Sequence, residues 1–293
     1  MNKLSPGAQF RQYQQQESPL QVVGAINAYS ALLASKAGFK ALYLSGAGVA
    51  NACYGLPDLA LTSLTEVVNE ASRITAISDL PLLVDIDTGW GGPLMIGRTI
   101  KAMERVGVAA VHLEDQVEQK RCGHRPNKQL VSPQAMSDRI KAAVDARIDP
   151  DFVLMARTDA LASEGLAAML ERAQQYVAAG ADMLFAEAVT ELSQLEAISQ
   201  ALSVPVLANM TEFGRTPYFS LQQFRQAGVG LVLYPLTAFR AMNKAAWQVY
   251  QSIRQQGDQQ QVLGLLETRE QLYTHLNYQA YEQQLDSLNA QGE

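Results

Sequence analysis

The sequence predicts a (β/α)8 barrel with an additional C-terminal helical extension. Three observations carry this reading: eight short β-rich apolar runs, helix-period segments between them, and a glycine that recurs just before a run begins. The runs are residues 22–26, 41–44, 82–86, 110–113, 152–156, 183–186, 206–208 and 231–234. Helical stretches between successive strands imply crossovers and hence parallel pairing, and eight such units favour closure over an open doubly wound sheet. No G-x-G-x-x-G follows the first run, so a dinucleotide-binding sheet would lack its phosphate turn.

Ala37-Gly38 precedes the second run, Val106-Gly107 the fourth, Ala179-Gly180 the sixth and Gly228 the eighth. Each glycine can end a helix in the left-handed conformation and turn the chain straight into a strand. Between the runs, Leu64, Val67, Val68 and Ala71 share one helix face, as do Leu166, Met169, Leu170, Ala173 and Val177. Ser132-Pro133 reads as an N-cap followed by proline at the first helical position, opening a helix through Met136, Ile140 and Val144. One domain is expected over residues 1–293, with the helical extension at about 255–293.

Composition narrows the function classes. A chain of 293 residues, 48% hydrophobic, can bury one large core, and its net charge of −6 argues against a nucleic-acid partner. No apolar run approaches the roughly 18 residues that would suggest a membrane partner, and the first ten residues lack the apolar centre of a signal peptide. A cytoplasmic protein is expected. Cys53 and Cys122 are too few for a disulfide framework and are expected to be reduced.

The chemistry is expected where the runs end. They terminate in Asn27, Ser45, Asp85 with Asp87, His112 with Glu114, Arg157, Glu187, Asn209 and Tyr234, positions that converge on one face of a barrel. In Asp85-Ile86-Asp87 the period-two alternation of a strand would aim both carboxylates the same way, and hard oxygen ligands without a convergent His/Cys set suit Mg²⁺. Asp58, in Tyr54-Gly55-Leu56-Pro57-Asp58, is a further acid on a long loop. In Lys120-Arg121-Cys122-Gly123-His124-Arg125 a free thiol sits among four cationic or potentially cationic side chains, a setting for a proton donor or nucleophile. His124 could shuttle protons; His275 has no supporting partners in the sequence.

Ser45-Gly46-Ala47-Gly48, Asp85-Ile86-Asp87-Thr88-Gly89, His112-Leu113-Glu114-Asp115-Gln116 and Lys120-Arg121-Cys122-Gly123-His124 together resemble the isocitrate lyase/phosphoenolpyruvate mutase superfamily. The Lys-Arg-Cys-Gly-His loop resembles its lyase branch in particular. The likeness continues through Met155-Ala156-Arg157-Thr158-Asp159-Ala160, Asn209-Met210-Thr211-Glu212 and Tyr234-Pro235-Leu236. It implies Mg²⁺ at Asp85 and Asp87, and a small tricarboxylate substrate held by Ser45, Gly46, Ala47, Cys122, Gly123, Arg157, Glu187, Asn209, Met210, Thr211, Arg240 and Arg269. It further implies a homotetramer with exchanged C-terminal helices, residues 236–254 closing the barrel and 263–288 packing on a partner. Two positions depart from the usual family form: Ala47 stands in place of a glycine, and Ala186 in place of a proline.

The implied activity is carbon–carbon lysis of 2-methylisocitrate to pyruvate and succinate, within the methylcitrate cycle of propionate catabolism. Cys122 would protonate the departing carbanion, with Lys120 and His124 on the same catalytic loop. Tyr43, Asp58 and Glu114 remain open as the base. Phe185, Leu233 and Pro235 would form apolar space for the substrate methyl. Alternatives are a related lyase acting on isocitrate, dimethylmalate or oxaloacetate, and a non-catalytic metabolite-binding barrel. One conflict stands within this reading: cationic neighbours lower a thiol's pKa, whereas a proton donor must start protonated.

Overall fold

The computed structural model describes residues 4–290; the outer ends of the expected 1–293 domain, 1–3 and 291–293, lie outside the described residues. Strands β1 (Leu20–Gly24), β2 (Ala41–Leu44), β3 (Leu82–Asp85), β4 (Ala110–Glu114), β5 (Val153–Thr158), β6 (Met183–Ala186), β7 (Val206–Asn209) and β8 (Leu231–Tyr234) pair in parallel and in sequence order. β8 returns to β1, closing the (β/α)8 barrel. Helices α1 (Pro6–Gln16) to α12 alternate with and follow the strands: α2 (Ala28–Lys36), α3 (Gly46–Tyr54), α4 (Leu64–Thr75), α5 (Pro93–Arg105), α6 (Pro133–Ala146), α7 (Leu161–Ala178), α8 (Leu192–Ala201), α9 (Leu221–Gln226), α10 (Thr237–Gln256), α11 (Arg269–Leu276) and α12 (Tyr278–Ala290). Among the described residues, no helix is long and apolar enough to cross a membrane.

Gly38, Gly107, Gly180 and Gly228, the predicted return points, all have positive φ. Two strand ends differ from expectation by two residues. β1 stops at Gly24, and Asn27 belongs to the next helix: its Oδ1 accepts the Ser30 N–H at 2.9 Å while Ser30 Oγ accepts the Asn27 N–H at 3.2 Å, a capping box that opens α2. β5 runs two residues further, to Thr158, so that Arg157 pairs with Glu114 of β4 and Phe185 of β6 at the mouth.

Alternation along the strands separates two apolar layers. Leu42, Val84, Val111 and Val232 face outward against the helices, whereas Leu83, Met155, Phe185, Leu207 and Leu233 fill the barrel interior. At the seam between β1 and β8 the backbones approach so closely that a Cβ on Gly24 would lie 1.8 Å from the Pro235 carbonyl oxygen. Helix α1 covers the opposite end of the barrel. Its Phe10 is fully buried against the inner layer, and Arg11 reaches the Asp151 carbonyl (2.9 Å) and Asp182 (2.8 Å) beside the starts of β5 and β6.

The expectation that residues 236–254 close the barrel needs correction, because α10 buries none of its residues; Trp247 and Tyr250 are 63% and 69% exposed. Part of the tail assigned to a partner instead lies on its own chain, α11 packing beside α2 with Tyr29 bonded to Glu267 at 2.7 Å.

Phe10→Ala is expected to remove the interior plug and cost about 3–5 kcal/mol, the usual loss for a buried phenylalanine. The shift of the urea midpoint at fixed protein concentration measures it, and a change below about 1 kcal/mol would show that α1 does not seal the core.

Candidate active site

The mouth of the barrel is lined by charge that no apolar core would tolerate unpaired. Asp85, the last residue of β3, is held by backbone donors: Gly46 N–H to Oδ2 at 3.1 Å and Asp87 N–H to Oδ1 at 3.0 Å. Asp87 lies beyond the strand with φ +46°, so strand alternation is not what brings the two acids together. A left-handed turn does, folding Asp87 back so that its amide meets Asp85 and its carboxylate meets Lys120 Nζ at 2.8 Å. Gly46 is the matching piece on β2's side: a Cβ there would stand 3.1 Å from Asp85 Oδ2 and 3.5 Å from Asp87 Oδ1. Neighbouring Ser45 caps α3, its Oγ accepting the Gly48 N–H at 3.2 Å, and Ala47 is half-buried on the helix's first turn.

Lys120 is buried and also bonds Asp58, so one ammonium serves two carboxylates. Burial would lower its pKa, but Asp87, Glu114 and Asp58 outweigh that and hold it well above the ordinary lysine range. Burial pushes Asp87 up to about 6, even against Lys120, and Glu114 well above its usual value, even against Arg157. Both Glu114 carboxylate oxygens are buried without a hydrogen-bond donor. Four acids around one ammonium leave negative charge to be balanced, and these hard oxygens fit a divalent cation of the magnesium kind. Asp85 and Asp87 stop short of a full protein cage; Mg²⁺ accepts that ligand number because it retains waters.

On the other side of the mouth, the Arg157 guanidinium stands 3.0 Å from Asp159, 3.3 Å from Glu114 and 3.4 Å from Glu187, and 5.2 Å over the Phe185 ring. Burial would raise Glu187, yet Arg157 and His124 hold its carboxylate well below the usual range. Asn209 of β7 donates to both Glu187 oxygens at 3.3 and 3.4 Å. His124 Nε2 lies 2.9 Å from Glu187 Oε1, while Nδ1 accepts the Arg215 N–H at 3.0 Å. Both ring nitrogens are therefore engaged, and His124 joins two mouth loops.

The loop of residues 116–131 brings Cys122 and Gly123 over this cluster. Gly123 packs on it directly, since a Cβ would fall 2.5 Å from Glu187 Cγ. The cationic field expected around Cys122 is not what the structure shows. Lys120 turns toward Asp58 and Asp87, His124 toward Glu187, and Arg121 and Arg125 are exposed. Burial raises the half-buried thiol's pKa and so favours the protonated form that a proton donor needs. Cys122 lines a cavity of about 760 Å³ with Asp58, Leu59, Lys120 and Arg125.

Other expected residues lie elsewhere. Tyr43 is inside the barrel, its hydroxyl 2.9 Å from His112 Nε2, and burial holds its phenol well above the ordinary range. Met210 turns its side chain into the outer apolar layer, one residue out of phase with Asn209. Thr211 begins the loop that carries Arg215, and Arg240 of α10 pairs with Glu212 at 3.2 Å beside the mouth. Arg269 opens α11 in the C-terminal segment, lining a separate cleft with Tyr273 and Tyr278. Sequence reading missed Asp159 and Lys128, which bond each other at 2.7 Å; a carboxylate two residues beyond Arg157 was the available signal for the first.

A closed barrel with paired acids at a strand end, facing a buried arginine held among carboxylates and a thiol-bearing loop, has a counterpart in known proteins. The chain belongs to the phosphoenolpyruvate phosphomutase family, whose sequence profile matches residues 10–254. Its similar relatives are 2-methylisocitrate lyases: that of Shewanella oneidensis is 60% identical over 287 residues, covering 98% of each chain. That of Vibrio cholerae is 58% identical, over 98% of this chain and 96% of the relative. Among solved structures, a 2,3-dimethylmalate lyase described as a PEP mutase/isocitrate lyase superfamily member matches with a TM-score of 0.90 at 33% identity, over 98% of this chain and 96% of its own.

Alkylation of Cys122, followed in a Cys53→Ser background, is expected to rise with pH through a midpoint above that of an unstructured cysteine peptide, because burial favours the thiol. A midpoint below the peptide's would restore the activated-thiolate reading.

Proposed function

We infer that this chain is a magnesium-dependent carbon–carbon lyase that cleaves 2-methylisocitrate to pyruvate and succinate. The observation that carries the mechanism is the half-buried Cys122 on a loop seated over Arg157 and Glu187, across the mouth from Asp85 and Asp87, where burial favours the thiol. High identity to 2-methylisocitrate lyases over nearly the whole chain supports the choice of substrate.

Asp85 and Asp87 are the residues that would hold magnesium. When bound, the ion supplies Lewis acidity that eases loss of the substrate's hydroxyl proton and offsets the charge of the adjacent carboxylate. The rest falls to the chain's own groups. Arg157, Asn209 and Thr211, with Ser45, Gly46 and Gly123 at the rim, would bind the remaining carboxylates. Of the base candidates, Tyr43 is locked as a phenol and Asp58 is engaged by Lys120, which leaves Glu114, whose oxygens have no hydrogen-bond donor and whose raised pKa makes its carboxylate, once ionised, a strong proton acceptor. Loss of the hydroxyl proton and scission of C2–C3 leave the electron pair on C3; transfer of the Cys122 proton to C3 completes succinate, and C2 becomes the pyruvate carbonyl. His124 orients the loop through Glu187 and the Arg215 amide.

The same reading covers assembly. The uncovered apolar side chains of α10 and α12, including Trp247, Tyr250, Leu285 and Leu288, support a cytoplasmic homotetramer in which these helices are exchanged, and Arg240, beside its own chain's mouth, would bind substrate there.

Two measurements test the proposal. Protein incubated with Mg²⁺ and 2-methylisocitrate should release pyruvate, and EDTA should abolish the release until Mg²⁺ is restored; full activity in EDTA, or turnover only of dimethylmalate, isocitrate or oxaloacetate, each followed by its own cleavage product, would overturn it. Selectivity checks the pocket. Leu233 lies in the inner layer beside Asn209, in the same interior as Phe185, and a methyl filling such apolar space is worth about 1–3 kcal/mol. The wild type should therefore favour 2-methylisocitrate over isocitrate in kcat/KM by at least about tenfold, and Leu233→Phe should narrow or reverse the ratio. Equal efficiency in the wild type would remove Phe185, Leu233 and Pro235 as its determinants.

A further inference from the structure

The catalytic loop is anchored at its base by backbone bonds. Gln116 bridges to Leu130, the Val131 N–H donates to the Asp115 carbonyl at 2.9 Å, and Arg139 donates to the carbonyls of Glu114 (3.1 Å) and Gln116 (2.9 Å). The tip is held by a side chain. Lys128 Nζ donates to the Gly123 carbonyl at 2.6 Å and to Asp159 Oδ1 at 2.7 Å. Its side chain is 3% exposed and that of Asp159 is fully buried. Asp159 Oδ2 in turn accepts from Arg157 Nε at 3.0 Å, and its own amide donates to Asp115 at 3.0 Å, so its orientation is fixed from two sides.

A buried ammonium is unfavourable unless its charge and its donors are both met. Here the charge is met by one carboxylate just past β5, and two of the three donors are met by that carboxylate and one loop carbonyl. The clamped carbonyl belongs to the residue next to Cys122, and the clamped carboxylate belongs to the partner of Arg157. A displacement of about 1 Å at such a point is enough to cost roughly a hundredfold in rate.

We propose that Lys128 is a positioning residue: it clamps the carbonyl beside Cys122 to Asp159 and thereby sets the thiol and the Arg157 guanidinium in one geometry. The kinetic consequence rests on the lyase reading above; the clamp itself does not. The test uses the full chain carrying Cys53→Ser, with iodoacetamide as the probe and peptide mapping to confirm Cys122 as the labelled thiol. Lys128→Met keeps side-chain length and removes charge and donors. Its Cys122 should alkylate at least about tenfold faster at a temperature where circular dichroism shows the variant still folded, because release of the tip is a local opening. With 2-methylisocitrate, kcat should fall at least about tenfold with KM changed less than about threefold, and Lys128→Arg should recover part of both effects. Lys128→Gln, which retains an amide donor group but no charge, gives the same order of alkylation rates if the methionine variant does not fold. A folded Lys128→Met or Lys128→Gln protein with wild-type alkylation and wild-type kcat would overturn the clamp. Absence of pyruvate from the wild type would remove the lyase reading and leave the alkylation rates to decide.

Discussion

The arrangement of the mouth depends on one buried guanidinium. Arg157 is within 3.4 Å of carboxylates from Glu114, Asp159 and Glu187, which lie at the ends of β4, β5 and β6. Through Glu187 the same charge reaches Asn209 of β7 and His124 of the loop. Breaking one member of such a buried network leaves an uncompensated charge and costs about 3–5 kcal/mol. Catalysis and stability therefore share these residues, and a variant there cannot be read as chemical damage alone.

The barrel was legible because its signals are local and periodic: eight apolar runs, helix faces and the glycine turns at Gly38, Gly107, Gly180 and Gly228. The positions of most mouth residues followed from the strand ends. What failed were inferences that treated sequence neighbours as spatial ones. Asp87 meets Asp85 through a left-handed turn, which a D-x-D pattern does not announce, and Asn27 caps α2 because a short polar side chain at a chain turn finds backbone donors first. Around Cys122, side-chain direction decides the field. Lys120 and His124 spend their charge or hydrogen bonds on carboxylates across the mouth, so the thiol feels burial more than cations.

The C-terminal helices mark another boundary of sequence reading. An amphipathic pattern states that one face of α10 is apolar; it does not state whose surface covers that face. Among the described residues of one chain, none buries a side chain of α10, even though α11 finds a seat beside α2.

The loop over the mouth is held by ammonium, imidazole and backbone bonds, through Lys120, His124 and Lys128, while its exposed arginines face water. Lifting it would uncover little apolar surface, and heat capacity tracks apolar exposure. Opening of the mouth and unfolding of the barrel should thus follow different thermodynamic laws: the first nearly linear in temperature and sensitive to ionic strength, the second curved and governed by the core. Conditions that leave the barrel intact can still change how often the mouth is shut.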